Sequence, residues 1–407
     1  MGRFVSCFLA SLLWLSATVE AFPYEASLVD WNLNQNAEAT EPVDYWGEWD
    51  NHTYTPSPDN WRMPTYTLAL DRYANGDPSN DDANGTLFEH DWMSNQFRFG
   101  GDARGLINDL DYIQGMGVGT IYIMGSPFMN LPWQADSYSP VDLTLLDQHH
   151  GRIQDWRDLI DAIHARGMYV LLDNTLATLA DLIAFKESLN STAAFRWGEY
   201  DYEWKYDRRY VDFEPGSDVI DCDYPRMWTN DGWPMTINQT TCRDSEFDLY
   251  GDSSNTGTVP VYENELSKYA SVQDRLRDWR SGVLDKLKRF SCMQIAMFDI
   301  DGFRVDKAIQ ATIDSLSSWA DHQRQCAKEY GKDNFYIVGE VVATDAQAAV
   351  YIGRGMQPDM YFDNTTKAAM ATNTTDTTTY IRNASLSALD GAGFQYIIYG
   401  AMTRFLG

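Results

Sequence analysis

Short apolar runs alternate with longer amphipathic ones from residue 64 onward, and this rhythm leaves few folds open. TYTLAL (65–70), GTIYIMG (119–125), MYVLLD (168–173), GFRVD (302–306), FYIVGE (335–340) and DMYFD (359–363) have the length and composition of strands. Between them, GLINDLDYIQGMG (105–117), QDWRDLIDAIHARG (154–167), the long stretch 265–290 and ATIDSLSSWADHQRQCAKEYG (311–331) carry apolar residues at helical spacing. Leu106, Leu110 and Ile113 share a face of the first helix, and Trp156, Leu159, Ile160 and Ile163 share a face of the second. Such alternation builds a parallel sheet covered by helices, either an open doubly wound sheet or a (β/α)8 barrel. No G-x-G-x-x-G follows the first strand, which weakens the dinucleotide-binding reading. Three strands end in a carboxylate, Asp173, Asp306 and Glu340, and the C-terminal ends of barrel strands carry the active face. The expected fold is therefore α/β, a (β/α)8 TIM-barrel that is incomplete, with six strands present.

The rhythm also divides the chain. Residues 1–21 read as a signal peptide, with Arg3 ahead of FVSCFLASLLWL and a small-residue cleavage site at VEA (19–21). Residues 22–63 are a polar lead-in, 64–180 the first part of the barrel, 181–262 an inserted subdomain after strand 3, and 263–407 the second part. No later run of about 18 apolar residues follows, so this portion makes no membrane contact of its own and is expected to be exported. A net charge of −28 sets nucleic acid and anionic membranes aside as partners. Seven N-x-[ST] sequons, at Asn51, Asn84, Asn190, Asn238, Asn364, Asn373 and Asn383, agree with export and with a glycoprotein. Cys222 and Cys242 flank a plausible disulfide loop, whereas Cys292 and Cys326 either pair or remain thiols. Fourteen Trp and 24 Tyr fill a core and also suit a sugar site, where flat rings stack on pyranose faces.

GFRVD places two charges inside a strand. Residues two apart share a face, so Arg304 and Asp306 point one way while Phe303 and Val305 point the other. On a barrel stave the apolar pair packs on helices and the charged pair enters the lumen. A buried carboxylate is costly unless paired, so Arg304 keeps Asp306 ionised, as a nucleophile requires. Glu340 ends the next strand, about 4.8 Å away in a parallel sheet. Two carboxyls at neighbouring strand ends stand roughly 5–5.5 Å apart, the spacing of retaining glycosidases. Asp306 is the candidate nucleophile and Glu340 the candidate acid/base; the competing reading is an Arg–Asp pair that only closes the wall.

At these residues the chain resembles glycoside hydrolase family 13, the α-amylase family. GFRVD and GE (339–340) resemble two of its four signature regions, supported by LALDRYANGDPSNDD (68–82), FGGDARGLINDLDYIQGMGV (99–118) and SYSPVDLTLLDQHHG (137–151). The resemblance implies an α-amylase-type barrel with Asp306, Glu340 and Arg304 catalytic, and with Tyr138 and Asp173 in the substrate subsite. It also implies a structural Ca2+ held by Asn75, Asp77, Asn80, Asp81, Gly100 and Asp102, whose oxygens suit that ion. Three departures stand out. Ala177 and Thr178 occupy the family's Asn-His positions, Ile309 and Gln310 occupy its Lys-His pair, and the fourth region is not found. DNTLATLADL, GFRVDKAIQAT and GEVVATDAQAAVYIGRG narrow the resemblance to the outer region of fungal cell-wall α-1,3-glucan synthases. That implies an α-glucan oligosaccharide or polysaccharide as partner, a membrane-spanning parent protein, and a place outside the cell or at the wall. An ordinary secreted α-amylase and a non-catalytic glucan-binding module remain the alternative readings.

Overall fold

The computed structural model describes residues 49–81, 98–130, 137–138, 140–180, 273–341, 351–352 and 388–393. Six parallel strands form the main sheet: β1 (Thr65–Ala69), β2 (Thr120–Met124), β5 (Tyr169–Asn174), β8 (Gly302–Val305), β9 (Tyr336–Glu340) and β10 (Gly391–Gly393). They lie side by side in chain order, with no reversal. A doubly wound sheet reverses its strand order at a switch point; a barrel wall does not. The order therefore decides for the barrel.

Helices connect the staves: α1 (Ala103–Asn108), α2 (Leu110–Gly115), α3 (Ile153–His164), α4 (Ser281–Phe298) and α5 (Ile313–Glu329). The expected single helix over 105–117 is broken at Asp109, whose backbone leaves the helical region at φ −108°, ψ 5°. It also starts earlier than its periodicity suggests, because the Asp102 side chain accepts from Gly105 N and caps the first turn. Of the helix expected over 265–290, residues 265–272 lie outside the described part, and the rest differs from the expectation. Residues 273–275 form a strand, and α4 begins only at Ser281. The apolar period runs unbroken through 283, 287 and 290, so pattern reading joins the two stretches. The break comes where Asp278 is drawn off to cap α5, accepting from Thr312 N at 2.7 Å, while Arg275 pairs with it at 2.9 Å. The strand expected at 359–363 lies outside the described residues; the sixth stave seen here is Gly391–Gly393.

Two short antiparallel pairs decorate the wall: β3 (Phe128–Asn130) with β4 (Pro140–Leu146), and β6 (Thr178–Ala180) with β7 (Gln273–Arg275). The second pair is informative. Thr178 faces Arg275 and Ala180 faces Gln273, so the chain leaves the barrel and re-enters it as adjacent strands. The residues expected to form the inserted subdomain, 181–262, lie outside the described part, as do Cys222 and Cys242.

Phe303 and Val305 are fully buried, as expected for the outward face of β8. Phe303 meets Trp319 of α5 at 5.5 Å and Phe335 at 5.4 Å, while Trp156 of α3 meets Phe298 of α4 at 5.5 Å. Each such ring contributes on the order of 2–3 kcal/mol by leaving water. Cys292 and Cys326 are bonded, which joins α4 to α5 and settles the alternative left open above.

The opposite end of the wall is also charged. Lys332 is fully buried between Asp299 (2.6 Å) and Asp301 (2.7 Å), and His164 bonds Asp301 at 2.8 Å. Residues 49–61, part of the lead-in, seal this cluster. His52 reaches Asp299 at 2.9 Å, Thr55 gives its N–H to Asp299 and its carbonyl to Lys332, and Trp61 stacks on Tyr336.

Candidate active site

β5, β8 and β9 end side by side: Asp173 is opposite Arg304, and Val305 is opposite Gly339. This register brings Asp173, Arg304, Asp306 and Glu340 into one cleft. Arg304, 6% exposed, is the hub. Its Nη1 lies 3.1 Å from Asp173 Oδ1 and 2.5 Å from Asp306 Oδ1, and its Nη2 lies 2.8 Å from Glu340 Oε2. One guanidinium thus holds both candidate reacting acids, the fork geometry for which arginine is suited. Burial works against the charge of Arg304, but Asp173 and Asp306 outweigh it and hold the guanidinium firmly in its charged form.

Each acid has its own surroundings. Burial pushes the Asp306 carboxyl up, but Lys307, Arg304 and a hydrogen bond with Glu340 outweigh it and hold Asp306 below the usual carboxylate range. Burial pushes Asp173 up, and neighbouring Asp306 adds to this against the pull of Arg304. Asp173 is also saturated with donors. Tyr122 OH (2.6 Å), Tyr138 OH (2.7 Å), Gly125 N (3.1 Å) and Asn174 N (3.1 Å) all donate to it. Its lone pairs are committed to the protein, so in this geometry it orders the site. Tyr138, the other residue assigned to the subsite, is tied to it and borders the same cleft.

Strand parity makes Tyr122 readable after the fact: residues 120, 122 and 124 of β2 share a face. Lys307 was missed, although it directly follows Asp306. It has a left-handed backbone (φ 47°, ψ 46°), its N–H donates to Glu340 Oε2 at 3.2 Å, and its Nζ lies 3.0 Å from Asp306 Oδ2.

The departures from the family pattern have structural counterparts. Ala177 and Thr178 are buried in the β6 segment, and Ala177 O accepts from Leu276 N at 2.9 Å. Gln310 is 2% exposed, and neither of its amide atoms has a hydrogen-bond partner among the described residues.

Of the residues assigned to calcium, Asp77 and Asn80 contact Asp102, and Asn75 pairs with Asp81. Asp77 N donates to Asp102 Oδ2 at 2.8 Å, Asn80 Nδ2 approaches the same oxygen at 3.4 Å, and Asn75 Nδ2 donates to Asp81 Oδ1 at 2.8 Å. The loop can close on α1 only because Gly76 and Gly105 lack side chains. A Cβ on Gly76 would lie 2.1 Å from Gly105 N. Gly100, at φ 81°, turns the chain into Asp102. Asn80 Oδ1 is buried without a hydrogen-bond partner among the described residues, so its lone pairs are available to a cation. The carboxylates do not by themselves converge, since no three acidic, His or Cys groups able to hold a metal cluster among the described residues. Any ion here would draw on amide and carbonyl oxygens as well.

The family model of the alpha-amylase catalytic domain matches residues 68–393. This chain belongs to the α-amylase family. Among curated relatives it is 48% identical over 94% of its length to the cell wall alpha-1,3-glucan synthase mok11 of Schizosaccharomyces pombe. It is 47% identical over 98% of its length to ags1 of the same organism. It covers 16% of the former and 17% of the latter, about a sixth of these much longer proteins. A periplasmic alpha-amylase of Escherichia coli is 27% identical over 78% of this chain and 53% of its own. A solved cyclomaltodextrin glucanotransferase with a three-domain ABC distribution superposes with a TM-score of 0.50 at 20% identity. That match covers 72% of this chain and 53% of the other, and bears on the fold only.

Proposed function

We propose that this α-amylase family module acts on α-glucan by a retaining mechanism, with Asp306 as nucleophile and Glu340 as acid/base. The observation that carries the reading is the shared hold of Arg304 on Asp306 and Glu340 at the mouth of the wall. Asp306, kept ionised, attacks the anomeric carbon. The glycosidic C–O bond breaks, and protonated Glu340 gives its proton to the departing oxygen. Glu340 then takes a proton from water or a sugar hydroxyl, which displaces the carboxylate from the glycosyl-enzyme. Asp173 and its tyrosines hold Arg304 in register while Asp306 changes charge. Tyr138 offers a ring to the sugar.

The buried residues 177–178 and the buried Gln310, whose amide has no hydrogen-bond partner among the described residues, favour a module that differs from ordinary starch hydrolases in its contacts to both sugars. By its likeness to cell wall alpha-1,3-glucan synthases, the module serves glucan remodelling in a larger, membrane-spanning, wall-building protein at the cell exterior, joining or cutting chains. A calcium ion would be held by Asn75, Asp77, Asn80, Asp81, Gly100 and Asp102. It would supply rigidity to the loop after β1 and no chemical step.

The test is covalent capture. An activated fluoro-glucoside should add one glycosyl group to the chain, at Asp306, and Asp306→Asn should abolish the adduct. An adduct that persists in Asp306→Asn removes Asp306 from its role. Binding of glucan with no adduct in the parent would favour a carbohydrate-binding module.

A further inference from the structure

Lys307 touches both candidate reacting acids through two different groups of one residue. Its left-handed backbone, which residues with a Cβ rarely adopt, aims the N–H at Glu340 Oε2 (3.2 Å). Its ammonium lies 3.0 Å from Asp306 Oδ2 and 5.8 Å from the centre of the Tyr138 ring. Arg304 meanwhile holds Asp306 Oδ1 at 2.5 Å. In this arrangement both oxygens of the nucleophile sit against cations. We propose, resting on the retaining reading above, that Lys307 is a positioning residue: it covers Asp306 Oδ2, aims Glu340, and moves off Asp306 when the carboxylate attacks.

The charge balance of the step gives the reason. As the Asp306 Oδ–anomeric carbon bond forms, the glycosidic C–O bond breaks and the leaving oxygen takes the Glu340 proton. Asp306 becomes a neutral ester and Glu340 an anion. Negative charge has passed from one acid to the other, and Lys307 borders both positions. Arg304 divides its contacts among Asp173, Asp306 and Glu340, whereas the Lys307 ammonium lies on Asp306. The groups facing Asp306 are Arg304 on β8, Asp173 on β5, Glu340 on β9, Lys307, and Tyr138, which leads into β4. Tyr122 on β2 stands behind Asp173.

Carbon-13 carboxyl NMR of the 407-residue chain labelled at aspartate tests this without requiring turnover. The Asp306 resonance is identified by its loss in Asp306→Asn and titrated in Lys307→Met, Lys307→Gln and Lys307→Arg. Removing the ammonium should raise the Asp306 midpoint by about one pH unit or more, and Lys307→Arg should keep it low. The acid limb of the fluoro-glucoside capture rate should move up in parallel. An unmoved midpoint in folded Lys307→Met and Lys307→Gln overturns the proposal. So does unfolding of both, which would give Lys307 a structural role only. Absent capture with a moved midpoint would defeat the glycosidase reading and leave the hold of Lys307 on Asp306 standing. Capture with a fixed midpoint would do the reverse.

Discussion

The Cys292–Cys326 bridge permits a worked prediction. The two residues are 34 apart, and the loop they close contains the end of α4, all of β8 with Asp306, and most of α5. Closing a loop of that length removes about 12.6 cal/mol/K from the unfolded chain, or about 3.8 kcal/mol at 25 °C. At about 2.1 cal/mol/K of unfolding entropy per residue, a cooperative chain of this size gains about 0.85 kcal/mol per degree, so the loss corresponds to a melting temperature about 4 °C lower. The perturbation is the double substitution Cys292→Ala with Cys326→Ala. Reductant is a poorer tool because it acts on every cysteine pair at once, including any formed by Cys222 and Cys242. Peptide mapping without reduction should recover the 292 and 326 peptides joined, and the variant should melt about 4 °C below the parent. Finding the two peptides separate, or a melt within about 1 °C of the parent, would refute the reasoning.

Three further outcomes are expected. Lys332→Met removes one of the two cations that Asp299 and Asp301 share, the other being His164, and leaves two buried carboxylates on one imidazolium, so it should cost about 3–5 kcal/mol in denaturant unfolding; a loss below about 1 kcal/mol would contradict the burial. Burial pulls His164 down, but its ring N–H groups face the accepting carboxylates of Asp299 and Asp301, which lift it to about 9, above its unfolded value of 6.5. Its stabilisation is therefore full below about pH 6.5 and is lost as pH rises through about 9, a contribution of about 3 kcal/mol. The parent should lose more stability than His164→Gln over that window, and parallel curves would count against it. Calcium chelation should lower the melting temperature of the parent and leave Asn80→Ala less affected; no shift in either would argue against the ion.

The barrel was legible because the strand–helix alternation, the strand-end carboxylates, the outward pair Phe303 and Val305, and the inward pair Arg304 and Asp306 all follow from local pattern; the order of the strands, which excludes a doubly wound sheet, came from the structure. The gathering of Asp306 and Glu340 was legible for the same reason, since both end neighbouring staves. Where the reading went astray, a long-range contact had overridden a local pattern. Asp278 leaves a continuous helical period to cap α5, more than thirty residues away. Gly391–Gly393 pairs as a strand through its backbone, with no side-chain signal to announce it. Lys307 escaped notice because its part depends on a left-handed turn, and nothing in the letters DKA specifies one. Cys292 and Cys326 could be paired only once α4 and α5 were known to lie side by side.

The seal formed by residues 49–61 bears on where this unit can be cut. A recombinant version trimmed to start at the first stave would strip the Thr55 carbonyl from Lys332 and the His52 ring from Asp299, opening the foot of the cylinder to solvent. Expression boundaries, and any cleavable tag, belong upstream of Trp49.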